Sequence, residues 1–510
     1  MSSATRLSPL LTTAPSRSGR AQSLAWAGGL LALVVAVVLF TRFSLDDTLR
    51  RDEAIYAYGG QQLAHGVPVY ASIFDPKGPL AAMLAGGAAA LAGVFGLEDV
   101  HTIRVVFFVT ACLAVGAVYL LGLALWRSVV AALAAAVVLA AFKGFALDAL
   151  GGPDAKTPAV LLSVVAMALL VRRRWFWGAF AGALAALTWQ PLAIYVAVAV
   201  IAAAAAARRG DRRRDAAMAV AGAAVPVVAI VAYFAFAGSL SQSVEAAVRF
   251  PLTGVLRSPE SVGARAGAIA HVVRRDYGPE GVVLLWGGLL ALVAGFVVRA
   301  VRAPLGAVLR DPYTTVVMLS CAGLVAFSLH DFQGYPDVYP LLPYAAVGAG
   351  EAVFAVRGRL RLPVFRRASA AVAVAGLAAL VAVSWASYVI AGPRDTELLR
   401  ERAAAREIER MLGAHGALYA LGDPTPLVLT GRRNPSRYIY LGSGVARWAA
   451  RHTYGSMAAW RHSISEARPA VITLAGWSPA SPWENRMERW LRAHYAVRDV
   501  ERWTVFVPRT

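Results

Sequence analysis

The residues best suited to chemistry cluster between 45 and 80, in LDDTLRRDEAIYAYGGQQLAHGVPVYASIFDPKGPL. Two adjacent carboxylates, Asp52 and Glu53, open a helical segment, and Tyr56 stands four residues past Asp52 on the same helix face. Further on, Asp75 and Lys77 flank Pro76. A carboxylate there could take a proton from a hydroxyl, and an ammonium could hold a departing anion. Plainer roles stand beside these. Acids at a helix start cap it and complement its dipole, and Asp75 with Lys77 could be a surface ion pair. Two shorter stretches carry similar groups. GGPDAKTP (151–158) holds Asp154 and Lys156, and HDFQGYPDVYP (330–340) holds His330, Asp331, Tyr335 and Asp337. Lysine occurs only at Lys77, Lys143 and Lys156.

The surrounding chain must position these groups, and its composition says how. Of 510 residues, 58% are hydrophobic and 16% charged, well under the roughly 25% charged of soluble proteins. Mean hydropathy is +0.57. A disordered chain is excluded and an ordinary soluble enzyme disfavoured. Apolar runs at 24–43, 102–125, 128–149, 156–171, 175–189, 191–207, 216–238, 281–301, 313–330, 339–356 and 368–391 are candidate membrane helices. The expected fold is an all-α polytopic membrane protein of about 11 spans plus juxtamembrane helices, with a small C-terminal extracytoplasmic α/β domain.

Lys+Arg exceeds Asp+Glu by 50 − 30 = 20. The arginines sit between the apolar runs, so topology explains the excess through the positive-inside rule. No groove-reading motif is present, and no nucleic acid partner is expected. Arg172 to Arg174, the run at 208–214, Arg299 to Arg310 and Arg357 to Arg367 fall consistently on one side, the cytoplasmic one. Parity holds if either the N-terminus is outside or the Gly/Ala-rich run 79–97 does not cross; the N-terminal tail carries Arg6, Arg17 and Arg20 and no acid, so it reads as inside and 79–97 as a juxtamembrane helix. The chain divides into a cytoplasmic tail (1–23), a membrane domain (24–392) whose first outer loop is 44–101, and a soluble outer domain (393–510). In that last part, 394–412 and 487–495 read as helices. Short apolar runs at 417–422, 426–431, 436–442, 470–476 and 502–508 read as strands. Cys112 and Cys321 lie in apolar runs and offer no disulfide framework or metal motif.

The first outer loop resembles that of the polyprenyl-phosphate-sugar-dependent glycosyltransferases of the GT-C fold, the protein O-mannosyltransferases and aminoarabinose transferases among them. Their Asp-Glu pair, Tyr, Gly-Pro-x-Tyr-like turn and acid before Lys-Pro-Pro-Leu correspond here to Asp52-Glu53, Tyr56, Gly66-Val67-Pro68-Val69-Tyr70 and Asp75-Pro76-Lys77-Gly78-Pro79-Leu80. Gly78 departs from the usual first proline. Arg104, at the start of the next span, fits the pattern. Weaker echoes are Gln190-Pro191 and the segment of Tyr335 leading into Leu341-Leu342-Pro343.

The resemblance implies an inverting transfer of a sugar, mannose or a related one, from a polyprenyl-phosphate donor to an extracytoplasmic hydroxyl. Asp52 is then the expected base and Glu53 its partner. Lys77, Arg104 and Lys156 are expected to bind the donor phosphate, and Tyr56, Asp75, Asp154, Gln190 and Tyr335 the substrates. Partners would be the lipid-linked sugar, membrane lipids, and a glycan, lipid or protein acceptor. No cofactor is assigned. His101, His330 and Asp331 have donor types for a divalent cation, but their spacing matches no metal motif, and no metal ligand is named. The competing class is a multispan transporter or lipid-sugar flippase. It suits the many spans and intramembrane charges but not the long, motif-bearing first loop.

Overall fold

A computed structural model describes residues 17–206, 211–253, 261–311, 313–359, 363–391, 396–442, 444–475 and 482–509. Most of the expected N-terminal tail, the start of the arginine run at 208–214, and Arg361 lie outside the described residues.

The chain enters through α1 (Arg17–Phe40). A ten-residue strap (41–50) leads to α2 (Arg51–Ala64), the short α3 (Val69–Ser72) and the Gly/Ala-rich α4 (Leu80–Phe95). The long α5 (Asp99–Trp126) follows. Next come α6 (Val129–Ala140) and α7 (Lys143–Gly151), bent 66° from each other at a two-residue break. Three shorter apolar helices, α8 (Lys156–Val171), α9 (Trp175–Thr188) and α10 (Ile194–Ala206), precede α11 (Arg212–Phe236). Four more long apolar helices complete the bundle: Gly278–Arg302, Tyr313–His330, Tyr335–Gly358 and Arg367–Ile390.

Among the described residues, seven helices are long and apolar enough to cross a membrane, or eight with α6–α7 counted as one broken span. With α8, α9 and α10 they fall one for one on the expected spans. Large apolar side chains such as Leu30, Val228, Leu290 and Val372 remain exposed on these helices, as suits an integral membrane protein whose solvent is lipid. The helix α4 does not extend the bundle; it packs along α2 and α5.

The two ends of the bundle differ in chemistry. One end carries the arginine-rich turns. There Arg299 pairs with Glu351 at 2.9 Å, Trp126 donates to the same carboxylate, and Trp175 donates to Asp215. The other end carries the strap, α2 to α4, the segment around Glu245 and the C-terminal domain.

That domain is a four-stranded sheet, order β1-β2-β4-β3, made from β1 (Leu418–Leu421), β2 (Val471–Leu474), β3 (Tyr495–Val500) and β4 (Trp503–Pro508). Strands β1 and β2 run parallel, with Leu418 opposite Val471, and the other two pairs are antiparallel. Helices Glu397–Leu412 and Pro482–His494 flank the sheet, as expected from sequence. Two expected strands are not strands. Residues 425–430 form a helix, because the Asp423 carboxylate accepts the Thr425 N–H and Pro424 and Pro426 suit a first turn. Residues 436–442 are irregular: the Phe74 N–H bonds the Arg437 carbonyl and the Gly422 N–H bonds that of Ile439. Strand β3 was hidden behind the expected helix ending at 495.

Candidate active site

Helix α2 carries the Asp-Glu pair, and its start is capped from within by Glu53, while Arg50 at the N-cap contributes no side-chain bond to the cap. The Glu53 carboxylate accepts the backbone N–H of Arg50 at 2.9 Å. Glu53 is buried, 3.8 Å from the Arg50 guanidinium and 4.0 Å from that of Arg104. Burial outweighs both cations and pushes its carboxyl up to about 8. The turn after α7 lies against it: a side chain on Gly152, whose φ is +149°, would start 3.3 Å from the Glu53 Cβ.

Asp52, by contrast, is half-exposed and faces a cleft of about 380 Å³. Arg50, Glu53, Tyr56, Lys77, Asp148, Asp154, Lys156 and Tyr335 also line it. The Lys77 ammonium donates to Asp52 at 2.9 Å and lies 5.5 Å from the centre of the Tyr56 ring. Its acidic neighbours outweigh burial and hold Lys77 well above the usual lysine range. The Lys77 loop is tied from three sides. Tyr70 donates to the Lys77 carbonyl at 2.7 Å, Gln190 donates to the Pro76 carbonyl at 2.7 Å, and the Asp75 carboxylate accepts the Lys77 N–H at 3.2 Å. Burial pushes Asp75 up to about 6.

Across the cleft, Asp154 caps α8, accepting the backbone N–H groups of Lys156 and Thr157 and the Thr157 hydroxyl. Burial and the nearby Asp148 push Asp154 up to about 6. The Lys156 ammonium pairs with Asp337 at 2.7 Å and sits over the Trp189 ring. Tyr335 donates to Asp148 at 2.7 Å and accepts from Arg50.

Seven of the ten residues singled out from sequence therefore line one cleft: Asp52, Glu53, Tyr56, Lys77, Asp154, Lys156 and Tyr335. Three do not. Asp75 and Gln190 lie behind it as supports for the Lys77 loop. Arg104 is wholly buried and donates to the carbonyls of Leu45, Asp47 and Thr48. Its guanidinium is engaged on the strap rather than presented to the cleft.

Sequence reasoning missed Arg50, which bridges Glu53, Asp148 at 2.7 Å and Tyr335. Its place directly before the Asp-Glu helix was the available signal. Asp148 also lines the cleft. Its partners are Arg50, Tyr335 and Tyr339. Among the described residues no three His, Cys, Asp or Glu side chains gather as metal ligands. His101 instead contacts Asp46 at 3.0 Å and Glu98 at 3.3 Å.

No protein-family model and no curated protein matches the sequence. Solved structures do. ArnT from Cupriavidus metallidurans bound to undecaprenyl phosphate aligns with a TM-score of 0.61 and 16% identity, over 94% of this chain and 97% of that one. Its apo state gives 0.58 and 17%, over 95% and 98%. The archaeal oligosaccharyltransferase AglB from Archaeoglobus fulgidus, in complex with an inhibitory peptide and a dolichol-phosphate, gives 0.55 and 13%, over 89% and 69%. Matches that span nearly the whole bundle and the C-terminal domain show that this membrane protein has the GT-C fold of ArnT and AglB.

Proposed function

We propose that the chain is an inverting glycosyltransferase that moves a sugar, mannose or a related hexose or pentose, from a polyprenyl-phosphate donor to the hydroxyl of an extracytoplasmic glycan, lipid or protein. One observation carries this reading: Asp52, Lys77 and Lys156 share a single cleft at the end of an apolar bundle. The same-fold structures with bound undecaprenyl phosphate and dolichol-phosphate support the donor class.

In the proposed step the acceptor oxygen bonds to the anomeric carbon while the bond from that carbon to the phosphate oxygen breaks. The acceptor proton passes to Asp52, and polyprenyl phosphate leaves with the bonding electrons. One displacement inverts the anomeric centre. Lys77 and Lys156 bring positive charge to the leaving phosphate. Tyr56 and Tyr335 line the sugar's space, and Asp154 sets the Lys156 turn. Asp75, Gln190 and Arg104 hold the loops that carry Lys77 and Asp52.

Arginine-rich turns at the opposite end of the bundle support a cytoplasmic N-terminus with the cleft and C-terminal domain outside. The test is purified protein reconstituted in liposomes and offered a panel of polyprenyl-phosphate sugars with candidate acceptors. One donor is consumed with release of polyprenyl phosphate, and Asp52→Asn abolishes this with the fold intact. Retained turnover in that variant removes Asp52 as the base.

A further inference from the structure

The strap joining α1 to α2 has no secondary structure, yet its last residues lead directly into Arg50 and Asp52 of the cleft. Backbone polar groups in such a segment must find partners, and here they do so from two sides. From the membrane domain, Arg104 takes the carbonyls of Leu45, Asp47 and Thr48. From the C-terminal domain, the Leu398 N–H takes the Asp46 carbonyl at 3.0 Å. Glu401 accepts the Thr48 hydroxyl and the Leu49 N–H.

Arg502 completes the clasp. It sits in the tight turn between β3 and β4 and donates to the Leu49 carbonyl at 2.8 Å and to the hydroxyls of Thr48 and Thr425, each at 3.1 Å. Glu401 and Asp423, both buried, each stand 3.1 Å from the same guanidinium. The Leu49 side chain is wholly buried in a core that includes Leu398, Ile408, Leu427 and Trp503. The residue after Leu49 is Arg50, and Asp52 is two residues further.

We propose that Arg502 is a positioning residue of the cleft: it locks Thr48 and Leu49 to the C-terminal domain and so fixes where Arg50 and Asp52 stand. The C-terminal domain is then a rigid buttress of the active site rather than a lid over it. Three features separate this from ordinary domain packing. The contacts converge on the two residues before Arg50. They include the Leu49 carbonyl, which Arg502 reaches at 2.8 Å and the Thr425 hydroxyl only at 3.5 Å. They use a fork geometry that lysine reproduces only in part.

The consequence for turnover rests on the transferase reading, but the consequence for the strap does not. In the full-length protein, Arg502→Ala and the milder Thr48→Val are compared with wild type by hydrogen exchange. Faster exchange is expected at amides 46–54, with β1 and β2 unchanged. Where a donor has been found, the turnover number falls about tenfold or more, KM for the donor holds, and Arg502→Lys recovers part of the loss. Unchanged exchange at 46–54 in both variants overturns the clasp itself. Faster exchange with undiminished turnover overturns its role in the reaction. Wild-type protein that transfers no sugar, with the exchange result intact, refutes the transferase reading and leaves the clasp standing.

Discussion

The Lys77 ammonium lies 2.9 Å from the Asp52 carboxylate, across a turn that brings together residues 25 positions apart. The two side chains are 27% and 52% exposed, so water screens the pair and makes it weaker than a buried one. A weak pair exchanges readily. In the proposed reaction, a lipid phosphate arriving in the cleft takes Lys77 as its own partner and leaves Asp52 without the cation that suppresses its basicity.

Opposite effects on phosphate binding follow from that pair. Lys77→Gln removes a charge-assisted hydrogen bond worth roughly 1.5–3 kcal/mol, which is a loss of about tenfold or more in affinity for polyprenyl phosphate. Asp52→Asn removes the competitor for Lys77, so affinity holds or rises while transfer stops. Fluorescence titration of both variants with a short-chain polyprenyl phosphate checks this. Wild-type affinity in Lys77→Gln would remove Lys77 from the phosphate site.

Arg104 is expected to matter for folding before it matters for binding. Its guanidinium is wholly buried and serves three strap carbonyls. Arg104→Gln orphans buried acceptors at roughly 1–3 kcal/mol each. Arg104→Lys does little better, because one ammonium cannot reproduce the fork. Both variants should unfold at clearly lower temperature in detergent. Protein that remains folded should bind polyprenyl phosphate nearly as wild type does. A normal melting temperature with lost phosphate binding would return Arg104 to the donor site.

The contrast between Lys77 and Arg104 shows what the sequence could and could not reveal. Spans and the Asp-Glu helix were legible because hydropathy and helix periodicity are local signals. Convergence was legible only where a motif held both members, as in the first outer loop. Arg104 matched its motif position, but a linear pattern does not say whether a guanidinium faces a cleft or a backbone. The network of Arg50, Asp148 and Tyr335 was overlooked because its members lie 98 to 285 residues apart in the chain. In the C-terminal domain, the run at 426–431 had strand-like composition, yet Thr425–Thr430 is helix through the Asp423 cap.

Glu53 gives the protein a pH-dependent stability of definite sign. Its carboxyl is pushed up to about 8 by burial, against the cations Arg50 and Arg104, from a usual value of 4.5. Between those values the folded state keeps a proton that the unfolded state releases. Stability from this group is therefore full below 4.5 and is lost as pH rises through about 8, at up to about 1.4 kcal/mol per pH unit. Asp75 and Asp154, pushed up to about 6, act in the same direction over a lower window. Of these three carboxyls, Glu53 is the one whose window extends from 6 to 8. Glu53→Gln, which keeps the shape without the titration, should flatten the fall in melting temperature over that interval. Parallel wild-type and Glu53→Gln curves would show that Glu53 does not titrate there.

Gly78 is where this chain departs from the proline of the Lys-Pro-Pro pattern, and α9 supplies the reason. A Cβ at position 78 would meet the Leu187 carbonyl oxygen at 2.0 Å and its carbon at 2.5 Å. Both atoms are backbone, so no side-chain rotation relieves the clash. The Lys77 loop is already fixed by Tyr70, Gln190 and Asp75, so it cannot yield freely either. Gly78→Ala should therefore cost about 1–3 kcal/mol of stability, the usual penalty for overpacking, and displace Lys77 from Asp52. Gly78→Pro, which restores the pattern, should do more damage than alanine rather than improve activity. Melting temperature and polyprenyl-phosphate affinity of the two variants check this together. A stable, fully active Gly78→Pro would mean that α9 does not press on this loop as closely as the 2.0 Å approach requires.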